Sequence, residues 1–165
     1  MKLKTLFLTL SLVTISTLCA CAQNRVFESI PAGKGIQKVY VAPAMMKMLG
    51  AKAFNSVSTN DFNMSDVLKG STITSVEVLN CEEGANIKDI KRKCDLIIKN
   101  LKMQVLVENS EDGENGTTIY GVPDTQNPDI LTKVLIYNVE SDEINCVVLT
   151  GKIDFNQTIQ NSMND

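Results

Sequence analysis

Four strand-like stretches follow one another in the last two-fifths of the chain with only turn sequence between them, and this run constrains the fold most. Residues 103–108, 117–122, 131–140 and 143–151 are rich in β-branched side chains and carry apolar residues at strand spacing. The first two flank an acidic, glycine-containing turn, Asn109-Ser110-Glu111-Asp112-Gly113-Glu114-Asn115-Gly116, and the last two are joined near Ser141-Asp142 as the clearest hairpin. A chain with four consecutive strands and no helix among them favours an antiparallel sheet.

Upstream, residues 36–42 alternate as a strand, and Pro43 suits the first position of a helix, where its missing N–H would be unpaired anyway. Residues 44–49 make that helix short, with Gly50 as its stop. Met45, Met48 and Leu49 fall on one side of it, a side expected to fill core space. Residues 51–70 read as a loop with one helical turn from Ser65. A β-branched strand follows at 72–80, and then the best helix in the chain, 86–102. Asn86 caps it, and Asp89 places negative charge in its first turn. Ile87, Ile90, Cys94, Ile97, Ile98 and Leu101 form its apolar stripe. A last amphipathic helix is expected from Asp154 through Phe155, Ile159 and Met163. The fold class is therefore α+β in the order β-α-β-α-β-β-β-β-α. It is a mainly antiparallel sheet of about five to six strands with two or three helices packed on one face.

The chain begins with a pattern of export. Lys2 and Lys4 precede an uncharged apolar run over 6–18, which is too short to span a bilayer comfortably. Two processing signals overlap at its end. Ala20-Cys21-Ala22 has the small-x-small form that leaves Gln23 as the mature N-terminus, whereas Leu18-Cys19-Ala20-Cys21 resembles a lipobox in which Cys21 carries the lipid. Residues 1–22 are thus expected to be a signal peptide, with cleavage after Ala20 or Ala22. Residues 23–35 then form a tether and irregular lead-in, and 36–163 a single domain, exported to the periplasm or exterior or anchored as a lipoprotein.

Composition narrows the chemistry. The chain has no histidine, which removes Ser-His-Asp and Cys-His nucleophilic sites and the commonest zinc ligand. Cys81, Cys94 and Cys146 lack C-x-x-C spacing. An oxidising compartment would permit a Cys81–Cys94 disulfide, while the apolar pattern around each cysteine favours three buried small hydrophobes. No glycine-rich phosphate loop follows a strand, and Glu111, Asp112 and Glu114 do not have the spacing of a calcium loop. With 5% aromatics and no tryptophan, a stacking platform for sugars is thin. No cofactor or metal site is expected. A net charge of −3 without a long basic block sets nucleic-acid binding aside. The basic residues Lys88, Lys91, Arg92 and Lys99 lie mostly off the apolar stripe of helix 86–102. They form a candidate face for an anionic partner, although such a face is more often simply solvated.

Three stretches together resemble the DUF4252 family, uncharacterised exported proteins and lipoproteins seen largely in Bacteroidetes. They are Val39-Tyr40-Val41-Ala42-Pro43-Ala44-Met45-Met46-Lys47-Met48-Leu49, Ile73-Thr74-Ser75-Val76-Glu77-Val78-Leu79-Asn80, and Val147-Val148-Leu149-Thr150-Gly151-Lys152-Ile153-Asp154-Phe155. The resemblance implies no catalytic residues and lends support to Cys21 as an acylated residue. It also implies a loose link to envelope signalling. The expectation is a non-enzymatic envelope module that binds a protein partner or small ligand and meets a membrane only through a lipid anchor. The alternatives are a hydrolase working with carboxylates alone and a protein that docks on lipid or another anionic surface. Pro43 and Gly151 are expected to serve the backbone, Gly151 through a positive φ or close packing at the end of the last strand.

Overall fold

The strand that closes the described chain, Ile144–Asp154, lies in the middle of a six-stranded sheet, not at its edge. The computed structural model describes residues 25–49, 58–59, 62–63, 70–82, 84–111 and 115–154. In order, the elements are β1 (Ile36–Val41), α1 (Pro43–Leu49), β2 (Ser58–Thr59), β3 (Phe62–Asn63), β4 (Thr72–Cys81), α2 (Ile87–Asn100), β5 (Gln104–Glu111), β6 (Asn115–Pro123), β7 (Ile130–Val139) and β8 (Ile144–Asp154). The sheet runs β1-β4-β8-β7-β6-β5, every neighbouring pair antiparallel, and β2 and β3 form a separate two-stranded ladder, which corrects both the expected order and the reading of 51–70 as loop. The connection from β4 to β5 carries α2 across the sheet from its second strand to its far edge. The expected final helix lies outside the described residues, except that Asp154 is the last residue of β8 and not a helix cap. Gly50 and the turn from Ser65 also lie outside them.

Residues alternate between the two faces of a strand. On one face Leu79, Cys81, Leu135, Tyr137, Ile144, Cys146 and Val148 pack with Phe27 and Ile30 of the N-terminal segment and with Ile90 and Cys94 of α2. On the other face Val76, Ile119, Val134, Leu149 and Ile153 pack with Met46 of α1. The two helices therefore cover opposite faces, which corrects the expectation that both lie on one. The central strands explain this. Val134 and Leu135, and likewise Val148 and Leu149, are adjacent in sequence and all buried, so both faces of the sheet need cover. A second correction concerns α1, whose Met46 enters the core while Met45 and Met48 are exposed.

Helix α2 begins and ends on local hydrogen bonds. The Asn86 side chain accepts from the Asp89 N–H at 3.2 Å, and Asp89 in turn holds Arg92 at 2.7 Å and Lys93 at 2.6 Å. At the other end Met103 N–H donates to Ile98 O and Lys102 N–H to Lys99 O, a Schellman closure with Lys102 at φ 52° where glycine is usual. Burying a side chain such as Ile90 stabilises by about 1.5–3 kcal/mol, so the apolar stripe, and not propensity, holds this helix down.

Register shifts gather at one end of the sheet: between Ile73 and Ser75, Val105 and Val107, Val122 and Pro123, and Leu131 and Lys133. Gly151 pairs with Ile73 there. A Cβ at Gly151 would strike the Thr72 carbonyl oxygen and come within 2.9 Å of the Ile73 Cα. Its φ is not positive. Close backbone approach, and not backbone handedness, is what requires glycine here.

Candidate functional site

A buried carboxylate in the middle of a strand fastens the N-terminal segment to the sheet. Glu77 of β4 lies on the α2 face and is only 6% exposed. Its Oε1 accepts from Val26 N–H at 2.9 Å and its Oε2 from Phe27 N–H at 3.3 Å. Both oxygens are thereby occupied in pinning the N-terminal segment to the sheet, which places Phe27 and Ile30 in the core. The segment is fastened a second time from β1, where Lys38 Nζ donates to Ile30 O at 2.6 Å and Phe27 O at 3.4 Å. Arg25 is thus held over the Tyr40 ring, its guanidinium carbon 4.5 Å from the ring centroid. Between the segment and β1 lies a cleft of about 320 Å³, lined by Arg25, Phe27, Glu28, Lys38, Tyr40 and Glu77 among others. The size suits a side chain or a small ligand. With Arg25 and Lys38 present, the cleft offers cationic donors beside an aromatic face.

The cysteines lie elsewhere. Cys81, Cys94 and Cys146 are free, buried thiols, all in the core beneath α2, so the structure contains no Cys81–Cys94 bond. Burial pushes the Cys81 thiol up to about 11, with Cys94 nearby adding to the effect. Burial also raises Cys146, reinforced by Cys94 and then Cys81. Tyr137 is raised as well, again chiefly by burial, and its buried hydroxyl has no hydrogen-bond partner among the described residues. Thiols held protonated and out of solvent are poor nucleophiles at neutral pH. Among the described residues no three Cys, Asp or Glu side chains are arranged to hold a metal ion.

On α2, Lys88, Arg92 and Lys99 are exposed and Lys91 is half-buried. Arg92 is paired with Asp89 while its side chain stays 73% exposed. Cys21 lies outside the described residues. The sequence did not point to the cleft. Its one available signal was Glu77, a charge set in a strand between Val76 and Val78 and sharing the strand parity of the core residues Leu79 and Cys81.

A family model described as a domain of unknown function, DUF4252, matches residues 32–160. The chain belongs to the DUF4252 family. The match takes in every strand of the sheet and both helices, so the sheet with α1 and α2 on its two faces is the DUF4252 domain in this chain. Arg25, Phe27 and Glu28 precede the matched residues, so the cleft joins the DUF4252 domain to the segment before it. No curated protein and no solved structure shows a significant match to the chain. Among the described residues, no helix is long and apolar enough to cross a membrane.

Proposed function

We propose that this chain is an exported, non-enzymatic binding module of the bacterial envelope, and that its recognition site is the cleft between the N-terminal segment and β1. The observation that carries the proposal is the position of the cleft beside β1, the first strand in the sheet order, with Gln37, Lys38 and Val39 exposed. An edge strand offers unpaired N–H and C=O groups to an extended peptide, and a neighbouring pocket then selects a side chain. Arg25 over Tyr40, with Lys38 alongside, suits an acidic side chain or a terminal carboxylate of a partner in the envelope. The two carboxylates in the cleft do not favour hydrolysis, because both oxygens of Glu77 are engaged by backbone amides. Export is supported by the leader pattern over 1–22.

The test is site-specific photo-cross-linking in cells that make the full chain. A photoreactive residue at Val39 should give a protein adduct in the envelope fraction, and the same residue at exposed Asp142 should not. Arg25→Ala should lower the Val39 adduct several-fold. Equal labelling at both positions, or no adduct at Val39, would overturn the proposal.

A further inference from the structure

The outward side of α2 is more ordered than a solvated face requires. Lys88, Arg92, Leu96 and Lys99 follow one another at steps of four, four and three, so they share one stripe, opposite the buried Ile90 and Cys94. All four are exposed, including Leu96 at 52%. The stripe is therefore basic at both ends with a bare leucine between, and exposed Asp95 borders it, three residues after Arg92 and four before Lys99. Residues 86–102 carry six of the chain's 16 basic side chains and two of its 19 acidic ones, so the rest of the molecule is acidic and the positive charge is concentrated here.

A second observation concerns where the chain leaves the fold. Phe27 and Ile30 pack into the same core layer as Ile90 and Cys94, so the segment beginning at Arg25 emerges on the α2 side of the sheet. Cys21, the acylation candidate, precedes Arg25 by four residues, a reach of at most about 14 Å. A lipid at Cys21 would hold the α2 side, and not the α1 side, towards the bilayer.

We infer that the stripe Lys88–Arg92–Leu96–Lys99 is a docking surface for an anionic phospholipid bilayer. The cations meet headgroup phosphates and Leu96 enters the boundary below them. Basic residues flanking an apolar side chain on an outward helix face suit this interface, because charge attracts the helix and apolar burial retains it. The Arg92–Asp89 pair does not prevent it, since exposed ion pairs are weak and exchange with other anions. The inference rests on the export reading for its biological setting, but its chemistry does not depend on the cleft at β1.

The experiment uses protein purified from the native envelope, its mature N-terminus fixed by intact mass, with vesicles of phosphatidylcholine alone or with one third phosphatidylglycerol. The chain has no tryptophan, so Leu96→Trp introduces a single fluorescent reporter. Its emission should shift further to the blue with anionic vesicles than with neutral ones. The shift should weaken as salt is raised from about 0.05 to 0.5 M, where screening shortens from over 10 Å to a few ångströms. Lys88→Glu with Lys99→Glu, both on the surface, should remove most of the difference in shift between the two vesicle types, a readout that an acyl chain at Cys21 does not mask. No shift, an equal shift with both vesicle types, or binding to polyglutamate without binding to vesicles would overturn the inference. A failure here leaves the Val39 cross-link intact, and loss of that cross-link leaves this result intact.

Discussion

Cys81 shows how a buried group can report on the fold. Its thiol is held protonated to about 11 by burial, against an ordinary value of 9.0, so the folded state binds this proton more tightly than the unfolded chain does. The stability that comes from this preference is complete below pH 9, shrinks as pH rises, and is lost by about pH 11. The melting temperature should therefore fall between pH 9 and 11, and Cys81→Ala should flatten that fall. An equally steep fall in the variant would refute the assignment. Glu77 acts at the same scale with the opposite chemistry, an acceptor kept in the core by two amides. Glu77→Gln removes the charge from one of those contacts and presents an amide N–H₂ to a second donor. It should cost about 1–3 kcal/mol in denaturant unfolding. Trypsin should then cut after Arg25 faster than in the wild type. Unchanged cleavage would mean that the segment is held by Phe27, Ile30 and Lys38 alone.

Among the elements, those defined by local chemistry were the ones legible in sequence. Asn86, Asp89 and the Ile87–Ile90–Cys94 spacing marked α2 because capping and helical periodicity act within a few residues. Pro43 marked the start of α1 for the same reason. The buried side of α1 was not legible. Seven residues make barely two turns, and three methionines leave the stripe undecided until β4 and its neighbours choose Met46. The cleft was illegible too, since it joins Arg25 to Tyr40 and Val26 to Glu77, partners 15 and 51 residues apart. Gly151 belongs to this scale because its constraint is a strand pairing. The expectation of a backbone role was met by close approach to Thr72 and Ile73 at the register shift. Gly151→Ala should force β4 and β8 apart there and cost about 1–3 kcal/mol by denaturant melting. A cost below about 0.5 kcal/mol would show that the bulge absorbs a methyl group freely.

In the whole molecule, the two faces of the sheet divide the labour: α1 and Met46 close one, while α2 and the pinned N-terminal segment close the other. Strand order was the least legible property of all. Alternation says which face a residue takes, but nothing local says that β8 will separate β4 from β7. That placement governs how the chain can assemble. A polypeptide delivered from its N-terminus can pair β1 with β4 and build β5, β6 and β7 into a meander, yet these halves share no strand pairing until β8 slides between them. Any carrier that feeds the chain out end first holds an unfinished sheet until β8, which runs to residue 154, has emerged.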